Sequence, residues 1–185
     1  LKDQAKKNLS SCEQFMDMVS KVELRKLISG LNMEQRRIFD DLVERERCPN
    51  EEKDPFYVFI GGDAGTGKSY LMRVIIEAFK HLHVKSGIDI RKPNIVTMAP
   101  TANAAYIVGG KTIESALGLQ GSNYSYLKLS PNRETDLRFQ HEDVSTYFID
   151  EISMVGSGKL AKIHFRLQDL ADSPNKTKFM GGKSC

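Results

Sequence analysis

The segment GGDAGTGKSY, Gly61 to Tyr70, constrains the fold of this chain more than any other stretch. It follows the apolar run FYVFI and precedes residues whose apolar side chains recur at helical spacing. Because proline and glycine bound the run Phe56–Ile60, it predicts a buried parallel strand. Strand, glycine-rich turn and helix in this order let the N–H groups of a turn and a helix N-terminus converge on an anion.

The spacing Gly-x-x-x-x-Gly-Lys-Ser within this segment is that of a phosphate-binding loop. In such a loop Lys68 reaches the β- and γ-phosphates of a triphosphate and Ser69 binds magnesium, so ATP and Mg²⁺ are the expected ligands. A dinucleotide fingerprint is set aside because Tyr70 stands where its third glycine is needed. The residues predicted to bind the nucleotide are Gly62, Asp63, Ala64, Gly65, Thr66, Gly67, Lys68, Ser69 and Tyr70.

Two further segments, NIVTMAP and VSTYFID, read as strands that alternate with helical patterns. GLNMEQRRIFDDLVERE predicts an amphipathic helix with Asn32 as its N-cap, and helical spacing recurs over Leu9–Ile28, at TIESALGL and over Met154–Leu170. The segment Gln120–Glu142 is polar and predicts turns. The predicted fold is therefore α/β, with a mostly parallel sheet, helices on both faces and helices at the N-terminus.

Composition excludes several classes of protein but does not select one. In the 185 residues, 27 basic side chains interleave with 24 acidic ones, so the net charge of +3 alone does not establish a polyanionic partner. Three dispersed cysteines, Cys12, Cys48 and Cys185, argue against a disulfide framework or a zinc site. No apolar run approaches the roughly 18 residues that span a bilayer, so no membrane partner is expected.

Asp150 and Glu151 end the third predicted strand, at the edge of an open α/β sheet that faces the ligand. Asp150 is suited to hold magnesium, and Glu151 to orient and deprotonate an attacking water. With Lys68, these two acids are the predicted catalytic residues, while Ser69 and Asp150 are the predicted metal ligands.

Five motifs in fixed order, LNMEQRRIF, GGDAGTGKS, APTANAA, GGKTIESALGL and FIDEISMV, resemble the petite-integration-frequency (Pif) family of superfamily 1 DNA helicases. The resemblance runs from Leu31 to Cys185. It implies that residues 30–185 form the first RecA-like P-loop ATPase domain, incomplete at its C-terminus, and that residues 1–29 form an N-terminal helical segment. A second RecA-like domain with its arginine finger is then expected after Cys185.

The resemblance also implies roles for residues outside the phosphate loop. Gln35 corresponds to the glutamine that reads adenine, and the DNA contacts carried over are Thr101, Asn103, Thr112 and Ser115. The chain departs from the family pattern at Ala102-Asn103, which replaces a glycine-containing pair, and at Glu114, which replaces histidine. A carboxylate repels DNA phosphate, which puts the contact at Glu114 in question.

The function implied is that of an ATP-dependent DNA helicase moving 5′ to 3′ on single-stranded or forked DNA. Roles in repair, recombination and telomere maintenance, in the nucleus or the mitochondrion, belong to the same expectation. Without an arginine finger, worth about 10³ to 10⁵ in rate, these residues alone should turn over ATP very slowly. Two alternatives remain open: a P-loop small-molecule kinase, and a helicase-derived nucleotide-binding module without motor activity.

Basic side chains on the predicted helix Met154–Leu170 form one more candidate surface. Lys159, Lys162 and Arg166 fall at spacings that share a helix face. A solvated charged face is the favoured interpretation, and these three residues are not assigned to the site.

Overall fold

The residues that the computed structural model describes are 18–47, 54–86, 93–120 and 125–185. The chain divides into two compact units. The first is drawn from Leu1–Asp54 and Phe59–Pro93, and the second from Pro55–Val58 and Asn94–Cys185. Cys12, Cys48 and the first part of the predicted N-terminal helices lie outside the described residues.

The described part of the first unit consists of helices α1 (Lys21–Ser29), α2 (Met33–Arg47) and α3 (Lys68–Lys85). Helix α2 begins as predicted, because Asn32 and Gln35 cap it reciprocally. The Gln35 N–H donates to Asn32 Oδ1 (2.9 Å) and the Asn32 N–H donates to Gln35 Oε1 (3.0 Å). Helices α2 and α3 pack together, and their largest buried apolar side chains are Phe39, Leu42, Leu71, Ile75 and Phe79.

Polar contacts attach helix α1 and the residues before it to α3, and none of the α1 side chains is fully buried. The Tyr70 hydroxyl donates to the Leu27 carbonyl (2.8 Å). Just before α1, the Val19 N–H donates to Glu77 Oε2 (3.2 Å) and the Val19 carbonyl bonds His81 Nε2 (2.8 Å). These bonds fix the entry and the end of α1 on the helix that carries the phosphate loop at its N-terminus.

The second unit is built on a parallel sheet in which β1 (Ile95–Ala99) lies between β2 (Lys111–Thr112) and β3 (Thr146–Ile149). Ala99 is opposite Thr112 and Met98 is opposite Ile149, so the carboxyl ends of the strands meet at one edge. The predicted strands at NIVTMAP and VSTYFID are confirmed, and so is the α/β class with a parallel sheet.

Helices α4 (Ala102–Ile107), α5 (Ile113–Leu117), α6 (Pro131–His141) and α7 (Ser157–Leu170) complete the second unit, together with 3₁₀ turns at Ile152–Met154, Ser173–Asn175 and Phe179–Gly182. Its core contains Met98, Ile113, Leu117, Val144, Tyr147, Ile163, Leu167 and Met180. None of the helices in the described residues is both long and apolar enough to cross a membrane.

The predicted strand Phe56–Ile60 is not a regular strand in the structure. Cys185 donates to the Phe56 carbonyl (3.0 Å) and accepts from the Val58 N–H (2.9 Å), which is a single step of parallel pairing. Only Phe56 is buried, while Phe59 is 76% exposed.

Helix α6 lies within the segment predicted to be turns, so that prediction was wrong for Pro131–His141. Its buried side chains are Leu137 and His141 alone, too few to form an apolar stripe. The available signal was the pair Ser130-Pro131, because proline favours the first position of a helix.

The prediction of a solvated face was wrong for Arg166, which is 1% exposed. Its position on α7 between Ile163 and Leu167 turns it toward the core. The guanidinium lies 5.1 Å from the Tyr126 ring centroid and its Nη2 donates to the Leu127 carbonyl (2.9 Å). Stacking and this bond offset part of the cost of burying the charge.

His141 makes the second unit sensitive to acid. Its Nε2–H donates to the Ala116 carbonyl (3.0 Å) and its Nδ1 accepts from the Tyr147 hydroxyl (2.7 Å), which requires a neutral ring. Burial lowers the pKa of His141 to about 4, helped by the charges of Lys111 and Lys183 and opposed by the Ala116 bond. Burial likewise raises the pKa of the Tyr147 hydroxyl, which therefore remains a donor.

We expect the free energy of unfolding to fall by roughly 2 kcal/mol from this residue alone between pH 7.5 and pH 5. The unfolded imidazole takes up a proton as the pH drops below about 6.5, whereas the folded one does so only near its lowered pKa, so stability is lost over that window. Urea denaturation across this range measures the slope. In His141→Gln this part of the slope should disappear, and an unchanged slope would contradict the assignment.

Candidate functional site

The glycine-rich loop enters α3 through backbone conformations that favour glycine. Gly65 and Gly67 have φ of +81° and +83°, and Gly67 is the N-cap of α3. The residues from Gly61 to Thr66 are exposed. The loop therefore presents its backbone, and the positive end of a long helix, to solvent and to any anionic ligand.

The Lys68 side chain is held above this loop. Its Nζ donates to the carbonyls of Gly62 and Asp63, each at 2.8 Å. The Thr66 hydroxyl also donates to the Asp63 carbonyl (2.8 Å), which closes the turn. A fixed ammonium group directly beside exposed N–H groups is the arrangement that binds phosphate oxygens.

Gln35 connects the α2 N-terminus to the same loop. While its Oε1 caps Asn32, its Nε2 donates to the Thr66 carbonyl (3.1 Å) and lies 3.5 Å from the Gly67 carbonyl. The structure thus brings Gln35 to the loop, as the sequence-based assignment requires. Both the oxygen and the nitrogen of the amide are hydrogen-bonded. An adenine that binds to Gln35 would therefore have to replace one of these bonds.

The last two residues assigned to the nucleotide differ in their surroundings. Ser69 is an exposed residue in the first turn of α3. The Tyr70 hydroxyl is bonded to Leu27 in α1, so this side chain anchors the helix, and its contribution to a ligand is limited to its backbone.

Asp150 and Glu151 follow β3 at the carboxyl edge of the sheet in the second unit. The Asp150 N–H donates to the Met98 carbonyl of β1 (2.9 Å), and Asp150 Oδ1 accepts from the Glu151 N–H (2.9 Å). Glu151 is exposed and has φ of +51°, an uncommon conformation for a residue with a side chain. Such backbone strain is concentrated at functional sites.

The four residues assigned to DNA lie at the same edge. Thr101 follows β1 and caps α4, its Oγ1 accepting from the Ala104 N–H (3.2 Å), and Asn103 is exposed in the first turn. Thr112 ends β2 and caps α5 in the same way, accepting from the Ser115 N–H (3.2 Å). The parallel register of β1 and β2 places these two capped turns side by side.

Sequence reasoning missed one partner at this edge. Glu114 of α5 forms an ion pair with Lys159 of α7, with 2.7 Å between Oε1 and Nζ. The two residues stand on separate helices, and helical spacing cannot reveal such a pair.

A parallel α/β fold with a phosphate loop at a helix N-terminus defines the class of P-loop nucleotide-binding proteins. Within that class, the family described as "PIF1-like helicase" matches residues 30–185. The chain therefore belongs to the PIF1-like helicase family, which confirms the resemblance seen in the motifs.

Relatives and solved structures agree with this assignment. The chain is 31% identical over 135 residues to the ATP-dependent DNA helicase RRM3 of Saccharomyces cerevisiae, covering 72% of this chain and 16% of that protein. It is 33% identical over 112 residues to the ATP-dependent DNA helicase PIF1 of Saccharomyces cerevisiae, covering 58% of this chain and 12% of the relative. The chain thus spans less than a fifth of either relative.

The crystal structure of the Pif1 helicase from Candida albicans superposes with a TM-score of 0.58 at 26% identity, covering 83% of this chain and 31% of that one. A Bacteroides sp Pif1 in complex with ADP-AlF4 gives a TM-score of 0.52 at 28% identity, with the same coverages of 83% and 31%. The predicted RecA-like P-loop fold is confirmed by these matches.

The contact between Gln35 and the loop can be tested by comparing two glycines. A Cβ added at Gly67 would lie 2.7 Å from Gln35 Nε2, whereas one at Gly65 would meet nothing within 4 Å. Each alanine costs about 1–2 kcal/mol for its left-handed backbone. We expect Gly67→Ala to cost about 1 kcal/mol more, because it displaces the Gln35 amide from its partners.

Chemical denaturation of the two variants, alone and in a Gln35→Ala background, measures this difference. In that background the two alanines should cost the same. An equal cost in the unmodified chain would mean that Gln35 contributes nothing through the loop.

Proposed function

We propose that this chain is the nucleotide-binding part of an ATP-dependent DNA helicase motor that moves 5′ to 3′ on single-stranded or forked DNA. Residues 30–185 would be its first RecA-like domain, residues 1–29 an N-terminal helical segment, and a second RecA-like domain its partner in the motor. Repair, recombination and telomere maintenance are the proposed processes, in the nucleus or alternatively in the mitochondrion.

The observation that carries the proposal is the geometry of the phosphate loop in a chain of this family. Lys68 and the first turn of α3 bring an ammonium and the positive end of a helix to one place. The Bacteroides sp structure with ADP-AlF4 supports nucleotide use, because that protein is similar over 83% of this chain. On ATP binding, Lys68 would exchange its two loop carbonyls for phosphate oxygens, and Gln35 would turn its amide to the adenine.

The residues assigned to magnesium fit that ion, since a hydroxyl and a carboxylate are the oxygen ligands that it prefers. Ser69 and Asp150 would hold the ion, which supplies charge neutralisation on the phosphates. Glu151 would orient the attacking water and accept its proton, and Lys68 would stabilise the charge that develops on the γ-phosphate.

The proposed DNA contacts use groups that are already oriented. The Oγ1 atoms of Thr101 and Thr112 accept backbone N–H bonds, which leaves each hydroxyl hydrogen available to donate to a phosphate oxygen. Asn103 and Ser115 are exposed beside them. Contacts of this kind position a strand without reading its sequence, as a motor that moves along DNA requires.

Lys68→Ala should weaken ATP binding about 10- to 100-fold, because charge-assisted bonds to the phosphates are lost. Lys85→Ala is the matched control, since it removes an exposed lysine from the opposite end of α3. Titration of a fluorescent ATP analogue measures both affinities. Equal affinity of Lys68→Ala and the unmodified chain would reject the loop as the nucleotide site.

Asn103→Asp should weaken binding of an oligo-dT strand about threefold to tenfold at low salt, because it brings a carboxylate to the proposed phosphate contacts. An acid near a helix N-terminus is favourable, so this loss cannot come from unfolding. Asn132→Asp is the matched control: it is exposed at the same position of α6, directly after the first residue.

Fluorescence anisotropy of labelled oligo-dT measures these affinities, with melting temperatures recorded alongside. If Asn103→Asp weakens oligo-dT binding and Asn132→Asp does not, the result supports a motor over a small-molecule kinase. An equal response at both positions would remove this edge of the sheet from the proposed DNA surface.

A further inference from the structure

The ion pair between Glu114 and Lys159 stands inside the proposed DNA surface. Glu114 lies between Thr112, which caps α5, and Ser115, whose N–H makes the capping bond. Lys159 lies in the first turn of α7. Helices α5 and α7 follow the carboxyl ends of β2 and β3, so both partners are at the edge of the sheet that carries the proposed contacts.

Glu114 is the only acid in the two proposed contact segments, Pro100–Ala105 and Lys111–Ser115. A carboxylate at this place repels a DNA phosphate, and the effect grows as the salt concentration falls. The neighbouring Lys159 ammonium, 2.7 Å from Glu114 Oε1, cancels that charge. A strand that approaches α5 therefore meets a neutral pair in place of a lone acid.

The pair is accessible to a ligand. The side chains of Glu114 and Lys159 are 44% and 30% exposed. A pair this exposed contributes little to folding, because water screens the attraction and ordering two long side chains costs entropy. Its main physical effect is on the local charge, and a lysine on a flexible stem can bond a second anion without leaving the first.

We propose that Lys159 is a DNA-affinity residue whose ammonium is shared between Glu114 and a phosphate of the bound single strand. Glu114 attenuates this contact and Lys159 provides it. The inference rests on the proposed function, since it assumes that the strand crosses the first turns of α4 and α5. It assigns a DNA contact to α7, a helix that contributes none of the DNA-binding residues predicted from the motifs.

The test uses oligo-dT binding by this chain, measured by fluorescence anisotropy between 50 and 200 mM salt. Glu114→Gln should tighten binding, and Lys159→Gln should weaken it, each by about threefold to tenfold at 50 mM salt. The slope of the logarithm of the binding constant against the logarithm of salt concentration should become steeper by about 0.7 in Glu114→Gln. It should become shallower by about 0.7 in Lys159→Gln. The double variant, which removes both the contact and the repulsion by Glu114, should bind more tightly than Lys159→Gln and more weakly than Glu114→Gln.

Two variants control for net charge alone. Asp136→Asn and Lys176→Gln make the same charge changes at exposed positions of the second unit outside α5 and α7, and they should leave affinity within about twofold. Melting temperatures of all variants should agree closely, as expected for an exposed pair.

Each other outcome overturns a defined part of the assignment. If Asn103→Asp weakens binding but the Glu114 and Lys159 variants do not change it, the DNA surface stands and the shared lysine is wrong. If Lys159→Gln and the double variant lose affinity equally, Lys159 binds DNA without modulation by Glu114, which also overturns the proposal. Absence of oligo-dT binding by the unmodified chain overturns the proposed surface and this inference together.

Discussion

The second unit depends on one constraint: β1 is hydrogen-bonded in parallel to a strand on each side. Parallel pairing requires every strand to end at the same edge, and the register sets Ala99 beside Thr112 and Met98 beside Ile149. The residues that follow the strands are therefore neighbours although they are far apart in sequence. This is why two helix caps, Asp150 and Glu151 share one edge.

In the first unit, the Gln35 side-chain amide links the start of α2 to the turn before α3. Gln35 caps its own helix through Oε1 and bonds the turn before α3 through Nε2. Tyr70, in the first turn of α3, bonds the end of α1. The loop is thus held from both sides by helices that pack on α3, and the space beside its positive-φ Gly65 is open. Rigid support around an exposed loop favours a preorganised anion site.

Features fixed by local rules could be predicted from the sequence. The start of α2 follows from Asn32 and Gln35, and β1 and β3 follow from apolar runs that a parallel sheet buries. The family and its RecA-like fold could be predicted because its motifs are particular. The roles of Lys68, Asp150, Glu151 and the DNA residues stay predictions, since their assignment depends on ligands rather than on the fold.

What could not be predicted depends on tertiary surroundings. Helix α6 buries too few apolar side chains to show a period. The run Phe56–Ile60 has the composition of a buried strand, but Cys185 pairs with it through only two backbone bonds. Arg166 was predicted to be solvated because it is charged. Its burial depends on tertiary contacts with the Tyr126 ring and the Leu127 carbonyl, which the sequence does not reveal.

The bonds around the loop also bear on how tightly a nucleotide can bind. Lys68 donates to two loop carbonyls and Gln35 to a third, so phosphate and adenine would replace existing bonds instead of adding to unpaired donors. Exchange of this kind yields only the difference between a charge-assisted bond to phosphate and a bond to a carbonyl, which is about 1 kcal/mol per contact. Affinity should therefore come largely from the backbone of the exposed loop and from the positive end of the α3 dipole. In the proposed motor, a triphosphate would favour a second arrangement of the loop, in which Lys68 bonds phosphate oxygens in place of loop carbonyls.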